Sequence, residues 1–316
     1  MRSPSPVRSA SLAFCMLLFA SAFGCDSSGD GDGPPKTEIQ TDTEGADTES
    51  GDTESADTES SREDTESMTD GGADVSSDVM EDDDAGAGCD GTQSVVQFDT
   101  SDGVTLEADY IRPSKTSAGA AALFHMIPPN HDRTNYPQRA LDKLAEKGIA
   151  VLNVDRRGAG GSEGNPREAY QGPNGKLDVE AAVRFLTSGD RECPSDSAKI
   201  VLVGASNGTT SVLDYTVARQ DTQLPDPSAI IWMSPGRYTI AQNRISNNRN
   251  TLDTIPIFWI HPDNEPWSNQ FKNNAPSGWK FKEIQNGRHG TLNFDNGTLE
   301  QEVLPPFVDW VAKYSM

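Results

Sequence analysis

The chain has 316 residues, 49 acidic side chains against 26 basic ones, a formal net charge of −23 and only 34% hydrophobic residues. That balance excludes a nucleic-acid binder, which needs a basic face, and a single long apolar run excludes a multi-span membrane protein. The charge is unevenly placed: residues 26–88 hold 22 acids against Lys36 and Arg62, whereas residues 89–316 hold 27 acids against 22 bases, ordinary for one large domain.

Arg2 and Arg8 precede an apolar run over 12–23 that ends at Gly24-Cys25. A positive start and about a dozen apolar residues read as a secretory signal over 1–24. The run is too short for a membrane span, which needs about 20 residues. Ala22-Phe23-Gly24-Cys25 resembles a bacterial lipobox. The resemblance implies that Cys25 is lipidated, and that the chain is exported and held at a membrane of the bacterial cell envelope. Residues 25–88 then read as a tether. They have no aromatic residue and repeat a short acidic unit, Asp47-Thr48-Glu49-Ser50 and again from Asp52, Asp57 and Asp64. Such a segment cannot bury enough apolar surface to offset its ordering entropy, so disorder is predicted. As a flexible coil it would span about 45 Å, more with charge repulsion. Glu81-Asp82-Asp83-Asp84 lacks the shaped loop that a calcium site requires.

Residues 89–316 alternate between strand-like and helix-like patterns. Segments 94–99 and 104–112 flank Ser101-Asp102-Gly103 and predict a hairpin. Strands are predicted at 120–126, 149–155, 199–204, 230–234, 255–261 and 279–285. Helices are predicted at 136–147, 177–187 and 207–219. A last helix is expected within 299–314, interrupted at Pro305-Pro306. Strands alternating with helices predict an α/β fold, with an eight-stranded, mostly parallel, twisted sheet covered on both faces.

Gly204-Ala205-Ser206-Asn207-Gly208 matches G-x-S-x-G. Alone the pattern is weak, but it closes a buried strand and opens a helix, which is the context of a nucleophile elbow. The glycines permit a sharp turn that lifts Ser206 clear of the sheet and aims the Asn207 N–H at a developing oxyanion. A serine hydroxyl needs a base. Of the four histidines, His125, His131, His261 and His289, the chain order serine, acid, histidine selects His289, in the loop after strand 279–285. His261 precedes any candidate acid and reads as structural. The acid belongs just past strand 255–261, where Asp263 and Glu265 both qualify. No His or Cys cluster supports a metal reading of this stretch, and no cofactor is called for.

Residues 95–314 resemble an α/β-hydrolase. Phe124-His125-Met126-Ile127-Pro128 is similar to the oxyanion strand motif, with Met126 where glycine is usual and Pro128-Pro129 following. Asp155-Arg156-Arg157-Gly158-Ala159-Gly160-Gly161-Ser162 is similar to the D-x-R-G-x-G-x-S loop. Ser234-Pro235-Gly236 and Gly287-Arg288-His289-Gly290 are similar to bacterial dienelactone-hydrolase and esterase branches. The resemblance implies a serine hydrolase acting on an ester or related acyl bond. Ser206 would be the nucleophile, His289 the base and Glu265 the acid, with Asp263 the alternative. The backbone N–H groups of Asn207 and Ile127 would form the oxyanion hole. About 20 residues, 234–254, stand where this family often inserts a cap, too few for a large lid. Tyr170, Tyr238 and Trp267 are candidates to line an open site. An oxidising compartment makes Cys89 and Cys193 a candidate disulfide. The expected partners are a small acyl substrate and, through the anchor, a membrane; nucleic acid is not expected, and the chain is expected to be a monomer. A catalytically inactive surface binding protein and a serine peptidase remain alternative readings.

Overall fold

Apolar runs of Val, Ile, Ala and Leu with no polar alternation form strands buried on both faces, and this sequence has a series of them. A computed structural model describes residues 89–114, 117, 119–188, 193, 199–219 and 222–316. The signal expected at 1–24, the tether expected at 25–88 and Cys25 lie outside the described residues.

Eight strands form one sheet in the order β1-β2-β4-β3-β5-β6-β7-β8. Strand β1 (Gln93–Asp99) and β2 (Thr105–Ile111) make the antiparallel hairpin, and β2 pairs antiparallel with β4 (Ile149–Val154). From β4 onward every pairing is parallel: β3 (Gly119–Phe124), β5 (Ile200–Ala205), β6 (Ala229–Met233), β7 (Ile257–Pro262) and β8 (Trp279–Ile284). Strands β3 to β7 are buried at every residue. Edge strand β1 instead alternates exposed and half-buried positions.

The two-residue period of the strands divides the core into two layers. Ala121, Leu123, Val201, Val203, Ile231, Phe258 and Ile260 face α1 (Gln138–Glu146) and α7 (Gly297–Ser315). Ala120, Ala122, Phe124, Leu202, Ile230, Trp232 and Trp259 face the other way, toward α3 (Gly175–Thr187) and α4 (Asn207–Ala218). Short helices α2 (Pro166–Tyr170), α5 (Arg249–Leu252) and α6 (Asn269–Lys272) lie in the connections and were not legible in the apolar periodicity.

One expectation is corrected. Helix α7 runs unbroken through Pro305 and Pro306. The prolines remove two N–H donors. The carbonyls left without them belong to Gln301 and Glu302, on the outer side of the helix where water can replace the donor. Val303, Phe307, Trp310 and Val311 meanwhile bury the opposite face in the core, which outweighs the local loss.

Cys89 and Cys193 are joined by a disulfide that closes a sequence separation of 104 residues. Tyr110 Oη on β2 donates to the Cys193 carbonyl at 3.0 Å, tying the same loop to the sheet. The segment between β6 and β7 holds a 3-10 turn at Ile245–Asn248 and the single turn α5, with no helical lid among the described residues.

Candidate active site

Parallel register brings the carboxyl ends of β3, β5, β6, β7 and β8 to one edge of the sheet, where ligand sites of open α/β sheets occur. Phe124 pairs with Gly204, Ala205 with Met233, Met233 with Ile260, and Pro262 with Ile284. Ile127, Ser206, Tyr238, Glu265 and His289 follow β3, β5, β6, β7 and β8 respectively.

Ser206 sits between β5 and α4 with φ 48° and ψ −122°, a conformation that side chains rarely adopt. Its N–H donates to Met233 O at 2.8 Å, which holds the turn against β6. The flanking glycines are required by close approach. A Cβ on Gly204 would lie 2.7 Å from Gly208 O, and one on Gly208 would lie 2.5 Å from both Phe124 O and His125 O. The sharp turn and the tight seat against β3 thus account for the G-x-S-x-G spacing.

Ser206 Oγ stands 2.6 Å from His289 Nε2, and His289 Nδ1 stands 2.5 Å from Glu265 Oε1. A carboxylate only accepts, so Nδ1 carries the imidazole proton and Nε2 is left to accept from the serine hydroxyl. Asp263 is exposed and instead uses its N–H to extend pairing to Ile284 O at 3.0 Å. Glu265, reached after one further turn, is the carboxylate that meets His289.

The His289 loop is held from two sides. Gly290 N–H donates to Ser234 Oγ at 2.8 Å. The Asn293 side chain accepts from Arg288 N–H at 2.7 Å and donates to Arg288 O and Gly290 O at 2.6 and 3.0 Å. Tyr238 packs edge-on against the His289 ring at 6.0 Å, and its hydroxyl donates to Ser234 O at 2.6 Å. Burial of the hydroxyl and then the Glu265 charge push the phenol pKa up, so Tyr238 stays a neutral donor. Trp267 packs on Trp259 and Phe271 rather than on His289. Tyr170 closes α2, and among the described residues no hydrogen bond joins its side chain to Ser206, His289 or Glu265. His261 is structural: its ring meets Pro262 O at 3.0 Å and Ser268 Oγ at 2.7 Å.

Asn207 N–H opens α4 directly after Ser206. Ile127 follows β3, and its peptide is fixed by residues that the sequence did not single out for this purpose. Arg156 is fully buried. Its backbone N–H donates to His125 Nε2 at 2.9 Å, which leaves the proton on His125 Nδ1. Nδ1 then donates to Met126 O at 3.0 Å, and Arg156 Nη1 donates to the same oxygen at 2.9 Å. In a trans peptide the N–H points opposite to the carbonyl. Two donors drawing Met126 O inward therefore turn Ile127 N–H outward. Proximity to the site follows from Gly290, where a Cβ would meet Met126 Sδ at 2.7 Å and Ala205 Cβ at 3.7 Å. Burial and then the Arg156 charge push the His125 pKa well down, so the ring stays neutral. Burial pulls Arg156 down to about 10, which still leaves it charged near neutral pH.

The loop after β4 supports this arrangement. Asp155 accepts from Arg133 N–H and Gly161 N–H, each at 2.8 Å, and pairs with the Arg133 guanidinium. Arg157 is clasped by Asp178 at 2.7 Å and Asp102 at 2.9 Å. Among the described residues no group of three or more His, Cys, Asp or Glu side chains could hold a metal ion.

A protein with this strand order, and with a strained serine between a parallel strand and a helix, has the α/β-hydrolase fold. Comparison with solved structures agrees. An esterase of Pyrococcus furiosus superposes with a TM-score of 0.57 at 16% identity, over 72% of this chain and 93% of that one. An α/β hydrolase of Penicillium sp. sh18 gives 0.54 at 15%, over 71% and 99%. A dienelactone hydrolase of Anabaena variabilis gives 0.52 at 15%, over 71% and 98%. Residues 102–245 match the model of the X-Pro dipeptidyl-peptidase (S15) family. None of the curated proteins compared with the chain matches it.

Proposed function

We propose that the chain is a serine hydrolase that cleaves an ester or related acyl bond. The observation that carries this reading is the continuous hydrogen-bonded chain from Ser206 through His289 to Glu265, beginning at a residue held at φ 48°. Ser206 Oγ attacks the acyl carbonyl while His289 Nε2 takes its proton. Glu265 holds the imidazole tautomer and stabilises the imidazolium. The N–H groups of Asn207 and Ile127 receive the developing oxyanion. His289 returns the proton to the leaving group, and water, activated by the same imidazole, releases the acyl group. The test is turnover of p-nitrophenyl butyrate by the full-length chain, lost in Ser206→Ala. Equal rates in both proteins would refute the assignment.

The match of residues 102–245 to a dipeptidyl-peptidase family favours a second reading, in which the same three residues cleave a peptide bond. Comparing p-nitrophenyl esters with an X-Pro p-nitroanilide separates the two. The N-terminal pattern supports export and a lipid anchor at Cys25. Metabolic labelling with a fatty acid, lost in Cys25→Ser, is the corresponding test.

A further inference from the structure

Between β6 and β7, residues 235–250 carry Arg237, Arg244 and Arg249 and no acid, although acids outnumber bases across 89–316. This segment lies along α4 beside the serine. Asn207 Nδ2 donates to Thr239 Oγ1 at 3.2 Å, Thr210 Oγ1 donates to Gln242 Oε1 at 3.1 Å, and Asp214 accepts from Asn243 N–H at 2.7 Å. Those three helix positions recur at three and four residues and so share one face.

The segment and the turn after Glu265 enclose a cavity of about 220 Å³, lined by Arg237 and Arg244, with Gln270 as a further amide and Trp267 and Phe271 as apolar wall. Arg249 is engaged elsewhere, pairing with Asp253 at 2.6 Å and lying over the Trp279 ring. Among the described residues neither Arg237 nor Arg244 meets a carboxylate. Asp214 accepts from Asn243, and Glu265 meets His289. A cleft of about 10 Å³ shares Gln242, Ile245 and Trp267 with the cavity and is also lined by Gly236 and by Thr209, three residues past Ser206. Planar guanidinium groups present paired donors that match an oxyanion.

We propose that this cavity is an anion-recognition subsite, and that the substrates of the Ser206 site carry a carboxylate a short distance from the acyl bond that is cleaved. The inference rests on the hydrolase reading above. The subsite acts on substrate binding and takes no part in the chemistry, so it selects through KM.

The test compares ester pairs that differ by a carboxylate in place of a methyl group, with the full-length chain. On the acyl side the pair is p-nitrophenyl hydrogen glutarate and p-nitrophenyl valerate. On the alcohol side it is 4-acetoxybenzoate and p-tolyl acetate. The expected result is a preference of about tenfold or more in kcat/KM for the anionic member of one pair, carried by KM, since hydrogen bonds to charged groups are the stronger ones. The preference should shrink with added salt and vanish in the Arg237→Gln, Arg244→Gln double variant, while the neutral ester is unaffected. Both arginines are exposed, so the variant should fold. No preference in either pair, or one that survives in the double variant, overturns the proposal. Fluorophosphonate labelling separates the two layers. A labelled chain without charge preference rejects the subsite and leaves the hydrolase. If the chain is neither labelled nor active, titration of the unlabelled protein with monomethyl glutarate decides. Saturable binding lost in the double variant supports the subsite, and its absence overturns it.

Discussion

Replacing Arg156 with methionine should lower kcat for a simple ester while leaving KM nearly unchanged. Removing an oxyanion donor outright costs about 10²–10³ in kcat. Here the proposed donor, Ile127 N–H, remains. What is lost is the 2.9 Å bond from Arg156 Nη1 to Met126 O, leaving His125 Nδ1 as the other donor to that oxygen. The expected loss is therefore smaller, about 10- to 100-fold, since misplacing a group by about 1 Å can cost 10²-fold. The fold should tolerate the change. Arg156 is buried and its guanidinium meets carbonyls and Ser211 Oγ rather than a carboxylate, so a methionine of similar volume removes a desolvated charge as well as its hydrogen bonds. Arg156→Lys, which keeps a cation and can reach one acceptor, should recover part of the rate. Steady-state hydrolysis of p-nitrophenyl acetate measures the effect. Affinity for a trifluoromethyl ketone, whose hemiketal oxygen occupies the oxyanion hole, should weaken in parallel. A folded methionine variant with wild-type kcat and wild-type ketone affinity would refute the reasoning that links Arg156 to Ile127.

Glu265→Gln should reduce kcat by roughly 10³–10⁴ by disturbing the imidazole tautomer, whereas Asp263→Asn should stay within about twofold because Asp263 is exposed and away from His289; ester kinetics of both variants check this. Cys193→Ser, which opens a 104-residue closure, should cost about 2–5 kcal/mol, read as a lowered urea midpoint. Folding holds the pKa values of His125 and His131 below the ordinary 6.5, so the unfolded chain binds more protons as pH falls through that value. The contribution of these two histidines is therefore full above pH 6.5 and declines below it, by about 1.4 kcal/mol per pH unit for each proton difference, and urea unfolding across pH 5–8, compared between wild type and His131→Gln, should show the His131 part of that slope.

Much of this architecture is legible in the sequence, for identifiable reasons. Runs such as Val201-Leu202-Val203 and Ile257-Phe258-Trp259-Ile260 are buried on both faces and allow few alternatives. The G-x-S-x-G pattern is readable because backbone contacts of 2.5–2.7 Å leave no room for a Cβ at either glycine. The relay through Arg156 and His125 was not readable, since it joins residues 31 positions apart by hydrogen bonds that leave no periodic signal. The Pro305-Pro306 pair misled for the opposite reason: a local rule pointed to a break, and packing of Phe307 and Trp310 overrode it. Between Asp263 and Glu265, composition offers little to choose, because the outcome depends on where the turn after β7 aims each side chain.

The central claim is that Ser206 is an activated nucleophile. Treating the full-length chain with a fluorophosphonate and locating the adduct by peptide mass spectrometry tests it most directly. The account predicts one adduct, on the peptide containing Ser206, absent in Ser206→Ala and strongly slowed in His289→Ala. An unmodified Ser206 in folded protein, or equal labelling of wild type and Ser206→Ala, would contradict it.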